Sequence, residues 1–136
     1  MIDKELEAIK SKKAEKMFKI KSMPKTIINI ISKQHFNEMI EDYPEKVIIM
    51  DFWASWCGPC LQFTPIFEKL HEEFSPHFIF AKVNVDANQD IANHYKISGI
   101  PTLLFVRNGG IINKIVGAVT YHNLKNFLIK IKSDNN

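Results

Sequence analysis

The stretch Asp51-Phe52-Trp53-Ala54-Ser55-Trp56-Cys57-Gly58-Pro59-Cys60 decides the fold. It follows an apolar run, Val47-Ile48-Ile49-Met50, with no polar alternation. A continuous run of that kind predicts a strand covered on both faces, here over residues 46–53. Pro59 suits the first turn of a helix, where its missing N–H leaves no bond unmade, so residues 59–74 are expected to be helical. Pro65 within them should kink that helix, because it removes a backbone hydrogen bond. Cys57 and Cys60 therefore fall where a buried strand passes into a helix. Helix N-terminal N–H groups and the helix dipole favour a thiolate there. Cys57 should be the more exposed, lower-pKa thiol, with Cys60 one turn deeper. The two-residue spacing lets the sulfurs bond without large backbone movement.

Outward from this segment, strand and helix patterns alternate. Residues 26–31 form a β-branched run and read as a strand. Ser32 is a candidate N-cap for a helix to about residue 41, with Phe36 and Ile40 four apart. Residues 78–85 read as a strand, 89–95 as a short helix and 102–107 as a strand. Asn108-Gly109-Gly110 predicts a hairpin turn into a strand over 111–116. Thr120 is placed to cap a last helix with Leu124, Phe127, Leu128 and Ile131 on its apolar face. The order β α β α β α β β α predicts an α/β fold, with a mixed central sheet flanked by helices. An additional N-terminal helix is expected over residues 3–21, with Leu6, Ile9, Met17 and Ile20 near one stripe, ending before Pro24.

Composition sets bounds on function. The 136 residues suit one domain, with 46% apolar and 24% charged side chains. A chain of this length buries roughly two thirds of its unfolded surface, so it needs no disulfide staple. Two cysteines three positions apart cannot cross-link distant parts of a fold. They are left as a chemical pair, a metal half-site or an accident. The net charge is +3, yet residues 1–25 hold eight lysines against four acids, which leaves the other 111 residues at −1. The near-neutral body gives no sign of a nucleic-acid surface. Residues 1–25 lack the apolar core of about 7–15 residues that a secretion signal carries. No run approaches the ~18 apolar residues of a membrane span. A cytoplasmic protein without membrane or nucleic-acid partners is expected. His35, His71, His77, His94 and His122 are scattered in sequence, and none is given a catalytic role. A tetrahedral zinc site usually takes four ligands and only two thiols exist, so no metal is expected.

Over about residues 26–131 the chain resembles the thioredoxin family. The resemblance is carried by Trp56-Cys57-Gly58-Pro59-Cys60, by Asp51 before it and by Pro65 after it. It extends to Ala81-Lys82-Val83-Asn84-Val85-Asp86, Gly99-Ile100-Pro101-Thr102, Asn108-Gly109 and Val116-Gly117-Ala118, ordered and spaced as in that family. It implies a Cys57–Cys60 disulfide that carries the electrons with no bound cofactor. Cys57 would be the nucleophile and Cys60 the resolving thiol, in the dithiol–disulfide exchange of a protein-disulfide reductase. Asp51 would take the Cys60 proton through water, its pKa raised by desolvation, with Lys82 as its neighbour. A structural ion pair is the competing role for Asp51 and Lys82. Pro101 would be a cis-proline beside the disulfide, and the Ile100 backbone would pair with an extended substrate. Trp56, Gly58, Pro59, Gly99, Ile100, Pro101, Gly117 and Ala118 would form a flat apolar contact surface. For Gly117 a turn role is equally open, and Phe52 and Trp53 read as packing.

The implied partners are thioredoxin reductase and disulfide-containing client proteins, for a monomeric protein. Leu61 departs from the family pattern, because many relatives carry lysine there. The charged segment 1–25, before a thioredoxin domain at 26–136, is similar to the N-terminal helix of some archaeal thioredoxins. A thiol oxidant or isomerase of the same fold is one alternative. A partner-binding module that uses the N-terminal helix is the other.

Overall fold

A computed structural model describes residues 23–75 and 77–134. The N-terminal helix expected over residues 3–21 lies outside these residues. The elements are β1 (Ile28–Asn29), α1 (Lys33–Asp42), β2 (Ile48–Trp53), α2 (Gly58–Phe74), β3 (Ile79–Asn84), α3 (Gln89–His94), β4 (Thr102–Arg107), β5 (Gly110–Val116) and α4 (Tyr121–Asp134). Their order is the one the sequence pattern predicts.

The strands form one sheet in the order β1-β3-β2-β4-β5. β3 lies parallel to both β1 and β2, while β4 pairs antiparallel with β2 and with β5. After β3 the chain passes through α3 to the far side of β2 and runs back. The central position of β2 explains its uninterrupted apolar sequence: its first five residues are buried. Side chains alternate between the two faces of a strand. Ile48, Met50 and Phe52 accordingly join Phe36 and Met39 of α1 and Ile91 of α3 in one core. Val47 and Ile49 join Phe63, Phe67 and Leu70 of α2 and Leu124, Leu128 and Ile131 of α4 in the other.

The caps behave as their chemistry requires. Ser32 Oγ accepts from His35 N at 3.0 Å, and Thr120 Oγ1 accepts from Asn123 N at 3.2 Å. One expectation changes. The strand expected over residues 26–31 contracts to Ile28–Asn29. The helix α2 runs through Pro65 to Phe74 as one element, as expected, and the Thr64 hydroxyl donates to the Cys60 carbonyl at 3.3 Å.

Topology concentrates the chemistry at one edge of the sheet. Register pairs Phe52 with Val83 and with Thr102, and Thr102 with Val116. The C-terminal ends of β2, β3 and β5 therefore meet the N-terminal end of the reversed β4. The loops leaving that edge carry Cys57, Asp86, Pro101 and Gly117. Ligand crevices in α/β sheets lie outside the carboxyl ends of the strands in the same way.

Candidate active site

Cys57 is the N-cap residue of α2, with extended backbone angles (φ −92°, ψ 106°). Its sulfur accepts from the Cys60 N–H at 3.2 Å. That donor is one of the orphan N–H groups of a helix start, so a thiolate at Cys57 finds a hydrogen bond and the positive end of the dipole together. Cys57 and Cys60 are joined as a disulfide across three positions. Cys57 is 6% exposed and Cys60 1%. The expected order of accessibility holds, although Cys57 itself offers only a sliver of surface. Both pack with Ala54, Trp53, Val85 and Ile100.

The Ile100–Pro101 peptide bond is cis. The Ile100 carbonyl oxygen lies 4.0 Å from Cys57 Sγ. Pro101 is buried, and its carbonyl accepts from Gly117 N at 2.8 Å. Gly117 has φ +91°, a left-handed conformation that favours glycine, so it serves as a turn beside the disulfide. The Thr102 hydroxyl donates back to the Gly99 carbonyl and holds the loop in front of Pro101.

Asp51 lies in β2 with the strand parity of Val47 and Ile49, which directs it to the face under α2. Its sheet neighbours are Lys82 on β3 and Leu103 on β4. It is 1% exposed, and neither carboxylate oxygen has a hydrogen-bond partner. Burial pushes its pKa up to about 7, against a smaller lowering by the Lys82 charge. The Lys82 ammonium sits over the Trp53 ring, 4.6 Å from its centroid. The structural ion pair is therefore not formed, and Lys82 acts on Asp51 through space.

Trp56, Gly99 and Ile100 line one groove with Val85 and Ile97, while Pro59 and Ala118 line another. Gly58 is exposed, and a Cβ added there would meet nothing within 4 Å. Leu61 is 50% exposed on α2. A tether absent from the expectations fixes the rim. Trp56 Nε1 donates to Asp86 Oδ2 at 2.8 Å. Asn84 Oδ1 in turn accepts from Asp86 N and Ala87 N, which shapes the turn after β3. Asp86 closes the string that begins at Ala81, but no local pattern links it to a tryptophan 30 positions earlier.

Among the described residues, no group of three or more His, Cys, Asp or Glu side chains could hold a metal ion. Among them, no helix is long and apolar enough to cross a membrane.

The thioredoxin family model matches residues 27–130. Thioredoxin of Chlorobaculum thiosulfatiphilum is 44% identical over 75 residues, 55% of this chain and 69% of that protein. Thioredoxin of Coprinus comatus is 42% identical over 94 residues, 68% of this chain and 87% of that protein. The crystal structure of Malassezia sympodialis thioredoxin superposes with a TM-score of 0.72 at 32% identity, covering 82% of this chain and 95% of that one. The X-ray structure of Fasciola hepatica thioredoxin gives 0.70 at 30% identity, covering 76% and 98%. With the sheet order, the helix-capping cysteine and its disulfide already in place, the chain belongs to the thioredoxin family, and its Cys57–Cys60 pair is that of a thiol–disulfide oxidoreductase.

Proposed function

We propose that the protein reduces disulfides of client proteins in the cytoplasm, with Cys57 as nucleophile, and is recharged by a thioredoxin reductase. The Cys57 thiolate attacks one client sulfur, and the client S–S bond breaks. The other client sulfur leaves as a thiolate and takes up a proton. Cys60 then loses its proton to Asp51 through water and attacks Cys57. The mixed disulfide breaks, the second client thiolate departs, and the Cys57–Cys60 bond forms. Two electrons pass from the protein to the client, and the redox-active pair needs no bound cofactor to carry them. Lys82 modulates the readiness of Asp51 to hold the proton. The client backbone runs past Ile100, with Trp56, Gly58, Pro59, Gly99, Pro101, Gly117 and Ala118 as contacts. Reductase, pair and client form an electron-transfer sequence in which this chain works as a monomer. Residues 26–136 are the catalytic unit, and residues 1–25 are an appended charged segment.

The observation that carries this assignment is the Cys57 sulfur at the helix start, 3.2 Å from the Cys60 N–H. Insulin reduction with dithiothreitol as electron source tests it. The native protein accelerates insulin precipitation, and Cys57→Ser does not. Cys60→Ser accumulates mixed disulfides with clients, visible as adducts that dithiothreitol releases. Turnover by Cys57→Ser at the native rate would remove Cys57 from the nucleophile role. A reduction potential at the strongly oxidising end of this fold's range would make the protein an oxidant instead.

A further inference from the structure

The groove beyond Pro59 is separate from the one lined by Trp56 and Ile100. Pro59, Gln62, Phe63 and Ile66 of α2 face Ala118 and Val119 across it. Positions 59, 62, 63 and 66 recur at i, i+3, i+4 and i+7, so they form one stripe along the helix. Phe63 is shared with the core, and Ile66 and Val119 pack against the core from the partly exposed side. No ionic side chain lines the groove, and Gln62 is exposed at its rim.

The groove is continuous with the reactive sulfur. Pro59 lies two residues from Cys57, so their Cα atoms are at most about 7 Å apart. A client joined to Cys57 by a mixed disulfide is thereby brought beside this rim. An extended client advances about 3.3 Å per residue, which carries a side chain one or two positions from its half-cystine across the Pro59 rim. An apolar side chain there removes apolar surface from water on both partners. An aspartate would lose hydration and find no cation on the walls.

We propose that this groove is a second client subsite, which takes an uncharged apolar side chain within two residues of the attacked half-cystine, and that Gln62 at its rim determines the selectivity. Such a subsite presupposes that Cys57 reduces client disulfides, as proposed above. The probes are disulfide-linked dimers of short Gly/Ser peptides. Each carries one cysteine and one variable residue, leucine or aspartate, at one or two positions on either side. Reduction by the dithiol protein is followed by stopped flow, and the quantity read is the leucine-to-aspartate rate ratio. Taken on one preparation, the ratio cancels any change in thiol reactivity. The native ratio is expected to be about tenfold at one of these positions, the scale of partly burying a leucine side chain. Gln62→Lys supplies a cation at the rim and is expected to bring the ratio to about threefold or less. Ile129→Lys adds the same charge on α4, at a 49% exposed position, and leaves the ratio as in the native protein. A native ratio near one at every position overturns the subsite. A ratio unmoved by Gln62→Lys, or moved equally by Ile129→Lys, also overturns it. 2-Hydroxyethyl disulfide, which has no side chain to place, separates the two levels. If the native protein reduces it without peptide discrimination, the subsite alone fails. If it is not reduced at all, the reductase assignment fails and takes the subsite with it.

Discussion

The indole of Trp56 is 70% exposed and still held in one place, because its N–H reaches the Asp86 carboxylate at 2.8 Å. A large apolar ring free in solvent would sample several rotamers, and ordering it on contact with a client would cost side-chain entropy. The tether removes much of that cost in advance. Asp86 touches no reacting atom and is a positioning residue. Asp86→Ala is therefore expected to raise KM for insulin or a peptide disulfide by about threefold to tenfold, the scale of one hydrogen bond. The same change should leave kcat within about twofold, since Cys57 and its N–H donor are untouched. Asp86→Asn keeps an acceptor oxygen and should restore the native KM. An equal loss in kcat, or no rescue by asparagine, would place Asp86 elsewhere in the mechanism. Nothing local in the sequence joins these residues: the contact exists because β2 and β3 are parallel neighbours whose exits share one edge. Cys57 and Cys60 are different, since strand, proline and helix all lie within ten residues of them. Neighbouring residues were enough to place that pair.

At the scale of elements, β1 shows how an edge strand is held by something other than its own ladder. It pairs over only Ile28 and Asn29, on one side, with β3. The Ile30 N–H adds a bond to the Lys82 carbonyl at 2.9 Å. Asn88, 2% exposed at the start of α3, donates its side-chain amide to the Ile30 carbonyl at 3.3 Å and to the Asn84 carbonyl at 3.1 Å. It fastens β1 to the end of β3, and its side chain makes no capping bond to α3. Asn88→Ala takes this donor from the Ile30 carbonyl, while the Asn84 carbonyl keeps the Asn88 backbone N–H at 3.0 Å, and is expected to cost about 1–3 kcal/mol. Urea unfolding would read that loss, and hydrogen exchange at the Ile30 amide should accelerate more than at the β2 amides. An unchanged urea midpoint would show that β1 needs no such pin. The β-branched run over residues 26–31 made a longer strand the natural reading. β-Propensity reports fitness for a pleated surface, while pairing depends on a partner that only the tertiary fold supplies. Central strands and amphipathic helices were legible because burial imprints period and continuity on their sequences. The passage of α2 through Pro65 was legible as well, and packing of Phe63, Phe67 and Leu70 offsets the one hydrogen bond that the proline removes. The cis bond before Pro101 and the disulfide itself came from family resemblance, because spacing alone leaves both open.

Among the described residues, the sheet and both cores are built from residues 23–131, with Met23 packed against the first core. A chain beginning at Met23 is accordingly expected to keep its Tm within about 4 °C, the shift that about 1 kcal/mol produces in a chain of this length. Insulin reduction should then persist at close to the native rate, and loss of either would tie residues 1–22 to the catalytic unit. The buried carboxyl group of Asp51 sets a second whole-molecule property, the pH dependence of stability. Its pKa rises from 3.8 to about 7 on folding. Between those values the folded state binds more protons than the unfolded chain, so stability falls as pH rises through the interval. Below about pH 4 both states are protonated and the penalty vanishes. Above about pH 7 it is complete, at roughly 4 kcal/mol for a shift of about three units. Asp51→Asn cannot ionise, so relative to the native protein it should gain up to about 4 kcal/mol at pH 8 and almost nothing at pH 4. Lys82→Met removes a charge that lowers the Asp51 pKa, so it should widen the native deficit at pH 8. Urea unfolding of the oxidised proteins at pH 4, 6 and 8 measures these differences. A gain for Asp51→Asn that does not vary with pH would mean that packing, not ionisation, is responsible. The same substitution should slow insulin reduction at neutral pH, because Cys60 then lacks its proton acceptor. A more stable and slower enzyme is the joint outcome expected of a strained polar group retained for its chemistry.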